Sequence, residues 1–246
     1  MTSRPDQDHA QPLVGVLGGV GPLATAYFLQ LLVALTEAER DQDHVDAVVL
    51  NHATIPDRTD FILGRSDADP GPVLARDAER LERFGADFLV MPCNTAHYFT
   101  QQVLDAISVP FVSIIDTTVD AARARVDDLR AVGLLATAGT AASGVYQDAF
   151  ARHGVEALVP DDGDQALVSQ IIYEQVKAGR PVDIETFRAV AGRLVARGAH
   201  VIVQGCPELS VVAVDYDLLA DPLYLDSTDQ LARATIRRAG HRVRGA

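Results

Sequence analysis

RLERFGADFLVMPCNT, residues 80–95, is the stretch that decides the fold, because the chain repeats it. Its charged amphipathic start, glycine, apolar run and cysteine recur in RLVARGAHVIVQGCPE, residues 193–208. The two stretches match at Arg, Leu, Gly, Ala, Val and Cys, and Cys206 lies 113 residues after Cys93. Each stretch is typical of a helix followed by a buried strand. The repeat therefore predicts two similar halves, each with one cysteine at the carboxyl end of a strand.

A second repeated pair supports the duplication. VGVLGGVGPLAT, residues 14–25, resembles VGLLATAGTAAS, residues 132–143, and each reads as a strand, a small-residue turn and a helix start. The connectors IDTT, residues 115–118, and LDST, residues 225–228, also correspond and follow the two cysteine stretches. Strands are predicted at residues 13–18, 45–51, 86–92, 110–115, 131–136 and 199–205, and helices at 24–40, 73–84 and 184–198.

This alternation of strands and helices predicts the α/β class, with two pseudo-symmetric doubly wound domains, largely parallel sheets and an active-site cleft between the domains. The first domain is expected to comprise residues 1–115 together with 225–246 and to contain Cys93. The second is expected to comprise residues 116–224 and to contain Cys206.

Composition and charge exclude several classes of protein. The chain has 246 residues, of which 48% are hydrophobic and 22% charged, enough for two α/β cores. Its net charge of −13 argues against binding to nucleic acid or to an anionic membrane, so an anionic ligand must meet local cations. Residues 1–11 are polar, and no apolar run approaches the ~20 residues that span a bilayer, which predicts a cytoplasmic protein.

The two cysteines are the candidate reactive groups. Neither belongs to a Cys-x-x-Cys pair, so neither a structural disulfide nor a metal site is predicted. A lone cysteine is more often a small buried hydrophobe, but two related by an internal repeat favour a function. A cysteine before a helix start is expected to have a lowered thiol pKa. Two facing thiols suit removal of a proton from one side of a carbon and its return to the other.

The turn LGGVGP, residues 17–22, invites a nucleotide-binding interpretation that the surrounding sequence does not support. It lacks a following Gly-Lys-Ser/Thr and the G-x-G-x-x-G spacing, and the second strand ends in Asn51 and His52 rather than an acidic residue. No motif supplies the lysine of a pyridoxal enzyme. No cofactor is therefore predicted.

Six motifs together resemble the aspartate/glutamate racemase family, and its aspartate racemase branch most closely. They are GGVGPLAT (18–25), IPDRT (55–59), PCNTAH (92–97), LLATAGT (134–140), YEQVKAG (173–179) and GCPEL (205–209). The resemblance implies a cofactor-independent racemase with Cys93 and Cys206 as its acid/base pair. It also implies that Asn94 and Thr95 hold the α-carboxylate of the substrate. By the same resemblance, two cations, Arg58 and Lys177, bind its side-chain carboxylate.

Other residues of the predicted site have two interpretations each. Thr137 and Thr140 are candidates to bind substrate, although threonines in a turn also bond local backbone. His97 and Glu208, which follow the cysteines, and Asn51 are expected to support the site. Pro207 stands where the family usually has threonine, and it lacks both the hydroxyl and the N–H of that residue. This departure bears on which amino acid is the substrate.

The leading prediction is racemisation of aspartate or glutamate by two cysteines. The alternatives are a racemase for another amino acid, an isomerase or decarboxylase of a small diacid, and a non-catalytic sensor of small ligands. The expected partner is a small amino-acid substrate, with no nucleic acid and no membrane. The number of subunits is left open, with a homodimer as the candidate assembly.

Overall fold

The structure is a computed structural model, which describes residues 11–245. It contains two parallel four-stranded sheets. The first has the order β2-β1-β3-β4, from β1 (Val14–Gly18), β2 (Ala47–Asn51), β3 (Phe88–Val90) and β4 (Phe111–Val112). The second has the equivalent order β6-β5-β7-β8, from β5 (Ala131–Ala136), β6 (Glu156–Leu158), β7 (Val201–Gly205) and β8 (Tyr224–Asp226). The predicted α/β class with largely parallel sheets is confirmed.

Helices connect successive strands. They are α1 (Pro22–Leu35), α2 (Arg58–Ile62), α3 (Gly71–Phe84), α4 (Thr100–Ala106), α5 (Ile114–Arg125), α6 (Ala138–Ser143), α7 (Val145–Ala151), α8 (Asp162–Gln170), α9 (Ile184–Ala196), α10 (Pro207–Asp215) and α11 (Ser227–Arg238). A π-helical segment (Ile171–Val176) continues α8, and short 3-10 helices cover Asp41–Asp43, Thr95–Phe99 and Leu218–Ala220. Within residues 11–245, no helix combines the length and apolarity needed to cross a bilayer.

The 113-residue repeat extends into the helices. Helices α3 and α9 begin 113 residues apart, and α5 and α11 are displaced by the same number at both ends. The predicted match of IDTT with LDST is wrong by three residues. Residues 115–118 lie in the first turn of α5, whereas residues 225–228 run from the end of β8 into α11. The short shared motif therefore does not mark equivalent positions, and Asp116 corresponds to Asp229.

The differences from the predicted elements have local causes. Strands β6 and β8 have three residues each and were not predicted, since neither lies in a longer β-rich run such as those around β3 and β4. The strand predicted at 110–115 ends at Val112, because the Ser113 side chain accepts a hydrogen bond from the Asp116 N–H and starts α5. The helix predicted at 24–40 ends at Leu35, where Thr36 forms an isolated bridge with Val243.

The final helix of each half packs on the other half. Helix α5 contacts α7 and β8 of the second half, while α11 contacts α1 and β4 of the first. This packing agrees with the order of segments in the predicted domains, whose boundaries stay a prediction. Leu225 and Asp226, assigned by that prediction to the first domain, lie in β8 of the second sheet.

One apolar core runs through both halves. A single cluster of buried side chains joins Val16 and Phe28 of the first half to Leu134, Tyr146 and Val203 of the second. Burial of apolar surface is the dominant favourable contribution to folding. The two sheets are therefore held in one folded unit whose cysteine-bearing strands have a defined relative position.

Asp226 ends β8 and is 2% exposed. Its Oδ1 accepts hydrogen bonds from Ser210 Oγ (2.7 Å) and from the Thr228 N–H (2.8 Å) that starts α11. Its Oδ2 is buried and without a hydrogen-bond partner in the described part of the chain. Burial raises the pKa of this carboxyl from 3.8 to about 6.

We expect Asp226→Asn to stabilise the protein at pH 8 and to have little effect near pH 4. A carboxyl whose pKa rises on folding favours the folded state below its unfolded pKa of 3.8, and this contribution is lost as the pH rises through about 6. The stabilisation by asparagine is on the order of 3 kcal/mol at most. Urea unfolding at both pH values measures it, with exposed Asp215→Asn as control. An equal effect at both pH values would contradict the expectation.

Candidate active site

Both cysteines lie at the carboxyl ends of central strands, as the repeat predicts. Cys93 follows β3 after two residues, and Cys206 follows β7 directly and precedes the first residue of α10. Both are free thiols. Cys93 is 6% exposed and Cys206 is 3% exposed. The thiols are therefore placed where parallel sheets bind ligands, but inside the closed molecule.

The thiol of Cys206 is hydrogen-bonded to a carboxylate. Its Sγ donates to Glu208 Oε2 at 2.8 Å, and the other carboxylate oxygen, Oε1, lies 3.4 Å from Lys177 Nζ. The same ammonium lies 4.7 Å from the ring centroid of Tyr173. Burial alone would lower the pKa of Lys177, but the Glu208 carboxylate raises it, and a thiolate at Cys206 would raise it too. Lys177 is thus a cation that already has an anionic partner.

The expected lowering of the thiol pKa is wrong for both cysteines. Burial and, to a smaller extent, the charge of Glu208 raise the pKa of Cys93, and Arg58 and Lys177 only partly oppose this. Burial raises the pKa of Cys206 more strongly, and the Glu208 carboxylate adds to the increase. A thiolate removed from water loses its hydration, and this cost outweighs the favourable field of a helix start. The two thiols differ, because the Arg58 guanidinium opposes the rise in the pKa of Cys93, whereas the Glu208 carboxylate accepts a hydrogen bond from Cys206.

Arg58 is placed on the side of Cys93 with unused donors. Its Nη1 donates to the carbonyl oxygens of Ile55 (3.4 Å) and Pro56 (3.1 Å). Its Nε is buried without a hydrogen-bond partner in the described chain. The alternative pairing with a neighbouring aspartate is not observed within residues 11–245, where Asp60 instead lies 3.9 Å from Arg65. The guanidinium is therefore available to an anion.

Three predicted hydroxyls meet at the junction of the two halves. Thr95 Oγ1 lies 3.1 Å from Thr137 Oγ1 and 2.8 Å from Thr140 Oγ1, which are themselves 3.0 Å apart. All three side chains are buried. Thr137 also accepts a hydrogen bond from the Thr140 N–H, so it starts α6 as well as reaching across the junction. Both interpretations of these threonines are thus compatible with the geometry.

Asn94 links the two cysteine-bearing strands. Its Oδ1 accepts a 2.6 Å hydrogen bond from the Tyr146 hydroxyl, and its Nδ2 donates to Ser227 Oγ at 3.1 Å. Ser227 in turn donates to the backbone oxygen of Gln204, two residues before Cys206. The sequence reasoning missed Tyr146, Ser227 and Gln204. The only signal for the first two was a polar residue at a helix start next to a buried strand or turn.

The two remaining supporting residues differ from expectation. His97 bonds the backbone of Cys93 rather than its sulfur, with Nδ1 2.8 Å from the carbonyl oxygen. Its Nε2 accepts from the Ile114 N–H at 3.2 Å, which places the ring hydrogen on Nδ1. Burial lowers the pKa of His97 to about 4, so the ring is neutral at neutral pH. Asn51 is exposed at the end of β2, an outer strand that β1 separates from β3.

Helices α2 and α6 pack against each other at the junction of the two halves. A Cβ added at Gly139 would lie 2.7 Å from Thr59 Oγ1, so only glycine permits this approach of the two halves. A groove of about 1110 Å³ lies elsewhere, between α5 and α11, and is lined by residues that include Phe88, Val112 and Arg125. The predicted site residues do not line that groove.

Comparison with known proteins identifies the family. A family model described as Asp/Glu/Hydantoin racemase matches residues 17–235. The chain belongs to this racemase family. The resemblance inferred from the six motifs is thereby confirmed, and so is the predicted enzyme class: a PLP-independent amino-acid racemase, which is an isomerase.

The alignments with individual relatives cover nearly the whole chain. The aspartate racemase of Picrophilus torridus is 29% identical, with a TM-score of 0.78 over 95% of this chain and 96% of its own. An aspartate racemase homologue from Pyrococcus horikoshii is 25% identical, with a TM-score of 0.76 over 92% and 98%. The broad specificity amino-acid racemase RacX of Bacillus subtilis is 25% identical over 228 residues, 91% of this chain and 96% of RacX.

We expect Tyr146→Phe to destabilise the racemase by about 1–3 kcal/mol, because it leaves the buried Oδ1 of Asn94 without its 2.6 Å donor. Urea unfolding measures the change. Tyr216→Phe is the matched control, since its hydroxyl donates to the Val182 oxygen in a part-buried position. A loss no larger than that of the control would show that the Asn94 link contributes little to stability.

Proposed function

We propose that this protein racemises an acidic amino acid, aspartate or glutamate, through a two-cysteine acid/base mechanism. The observation that carries the proposal is the placement of Cys93 and Cys206 at equivalent strand ends of two similar halves. From these opposite halves we expect the two thiols to reach opposite faces of one substrate carbon. This is the arrangement that inversion of a Cα centre requires.

In the proposed reaction the thiolate of one cysteine takes the Cα proton and becomes a thiol. The electron pair of the broken C–H bond moves into the substrate carboxylate, where hydrogen-bond donors stabilise the developing charge. The thiol of the other cysteine delivers its proton to the opposite face of Cα and becomes a thiolate. Burial helps this chemistry, because a thiolate of raised pKa is a stronger base toward a weakly acidic C–H bond.

The charges around the cleft support an acidic substrate. Arg58 has a buried Nε without a partner and lies close enough to Cys93 to oppose the rise of its thiol pKa. A guanidinium with free donors binds a carboxylate as a fork. Lys177 is already paired with Glu208, so it contributes to substrate binding only by sharing its charge. We therefore assign the side-chain carboxylate of the substrate chiefly to Arg58.

A racemase for other amino acids is the second candidate. One relative, 25% identical, is named a broad specificity amino-acid racemase. Pro207 also removes a hydroxyl and an N–H from the side of the cleft that holds Cys206, as noted from the family pattern. Both observations concern the choice of side chain and leave the proton chemistry unchanged.

Cα exchange in deuterium oxide tests the mechanism and the substrate together. We expect the wild-type protein, without added cofactor, to exchange the Cα proton of both enantiomers of aspartate or glutamate, followed by NMR. Cys93→Ser and Cys206→Ser should each abolish net racemisation but retain slow exchange of one enantiomer. The faster residual exchange is expected in Cys206→Ser, which keeps Cys93 as base. Inversion at wild-type rates in both variants would eliminate the two-cysteine mechanism, and the reverse order would refute only the ranking.

We expect Arg58→Ala to raise KM for aspartate and glutamate by roughly 10- to 100-fold, since charged hydrogen bonds to the side-chain carboxylate are lost. Neutral amino acids should be unaffected. Arg65→Ala is the matched control, because this exposed arginine follows the same helix and pairs with Asp60. Steady-state kinetics with acidic and neutral substrates measure the change. An unchanged preference for acidic over neutral substrates would show that another residue binds the side-chain carboxylate of the substrate.

A further inference from the structure

Glu208 breaks the symmetry of the two cysteines. It is 8% exposed and lies between the thiol of Cys206 and the ammonium of Lys177. The 113-residue repeat places Thr95 at the equivalent position beside Cys93. The hydroxyl of Thr95 is engaged with Thr137 and Thr140. One thiol of the pair thus has a carboxylate as hydrogen-bond acceptor, and the other has a neutral residue at the equivalent place.

We propose that Glu208 keeps the proton on Cys206 when the site is empty, so that Cys206 begins the reaction as the acid and Cys93 as the base. The inference rests on the proposed two-cysteine function and deepens it. Glu208 is a positioning residue here, because it acts through the sulfur of Cys206. The proton stays on sulfur in the Sγ–H···Oε2 hydrogen bond, and no bond to substrate is involved.

The hydrogen-bond geometry supports this assignment. A carboxylate oxygen 2.8 Å from Sγ accepts a hydrogen bond from the thiol. Loss of that proton would place a thiolate and a carboxylate at hydrogen-bond distance in a buried site, where like charges repel strongly. Lys177 offsets this repulsion only in part, because its Nζ contacts the other carboxylate oxygen of Glu208, Oε1.

The groups around the pair do not reverse this preference. Five titratable groups in the described part of the chain face Cys206 and Glu208. Tyr173 lies in the π-helical segment and Lys177 at its end, Tyr27 lies in α1, Tyr146 lies in α7, and Cys93 is the opposite cysteine. Asp226 and Asp229 lie behind Tyr27 and add negative charge. Of these groups only Lys177 is a cation. Cys93, in contrast, is influenced by Arg58, which has no anionic partner within residues 11–245.

The proposal has a specific consequence for pH dependence. The free enzyme is active when one cysteine is a thiol and the other a thiolate, so kcat/KM follows a bell-shaped pH profile. The acidic limb reports the first deprotonation, at Cys93, and the alkaline limb reports the second, at Cys206. Glu208 therefore affects the alkaline limb more than the acidic limb, because it is hydrogen-bonded to Cys206 and acts on Cys93 only through its charge.

The test is Glu208→Gln, which keeps the shape of the side chain but removes its charge. We expect the alkaline limb of kcat/KM to move to lower pH by about one unit or more, while the acidic limb moves clearly less. Either orientation of the amide acts in this direction, because its N–H also stabilises a thiolate. Exposed Glu156→Gln, in β6 of the same half, is the matched control and should move neither limb. An unmoved alkaline limb, or equal movement of both limbs, would overturn the proposal.

Alkylation separates this inference from the proposed function. The rate of iodoacetamide modification of each cysteine, followed against pH by peptide mass spectrometry, reports the thiols without any racemisation assay. In Glu208→Gln the profile of Cys206 should move to lower pH by clearly more than that of Cys93. This result without racemisation of acidic amino acids would refute the proposed substrate and retain the role of Glu208. If Glu208→Gln does not fold, Lys177→Met should move the Cys206 profile to higher pH, and no such movement would overturn the inference.

Discussion

The hydrogen-bonded link through Asn94 is the interaction on which the geometry of the site depends. A buried amide must satisfy its donors and acceptors, and here the partners come from Tyr146 and Ser227 of the second half of the chain. Because Ser227 also binds the backbone just before Cys206, the link runs from the residue after one cysteine to the strand that carries the other. A shift of one half relative to the other would break these bonds, so the thiols are held in a defined relation.

The exchange of the last helices reinforces the same relation. Helix α5 belongs to the first repeat in sequence but packs on the second half, and α11 does the converse. Each half has an apolar cluster of its own, and a third cluster spans both sheets and joins the halves. Helices α2 and α6 are attached to this rigid base at the carboxyl edges of the sheets. Their contact with each other is a further junction between the two halves.

Much of this arrangement was predictable, because duplication leaves a constant offset between equivalent residues. The offset places both cysteines at central strand ends, and the structure shows the same offset for α5 and α11. The strand β8 could not be predicted, since its apolar run, residues 223–225, is much shorter than the run in which β3 lies. The direction of the thiol pKa was mispredicted for a different reason. Sequence indicates the helix start that follows Cys206, but the degree of burial depends on how the two halves pack.

The broken symmetry of the site has a thermodynamic limit that follows from racemisation itself. Two enantiomers have equal free energy in solution, so kcat/KM must be the same in both directions at every pH. A carboxylate beside Cys206 and a threonine in the equivalent place beside Cys93 cannot alter that ratio. They can change only the individual values of kcat and KM. If one enantiomer binds the more populated protonation state, its kcat and its KM are both raised or both lowered, and their ratio is unchanged. The pseudo-symmetric fold supplies two equivalent positions, and the residues next to the cysteines decide which protonation state is filled first.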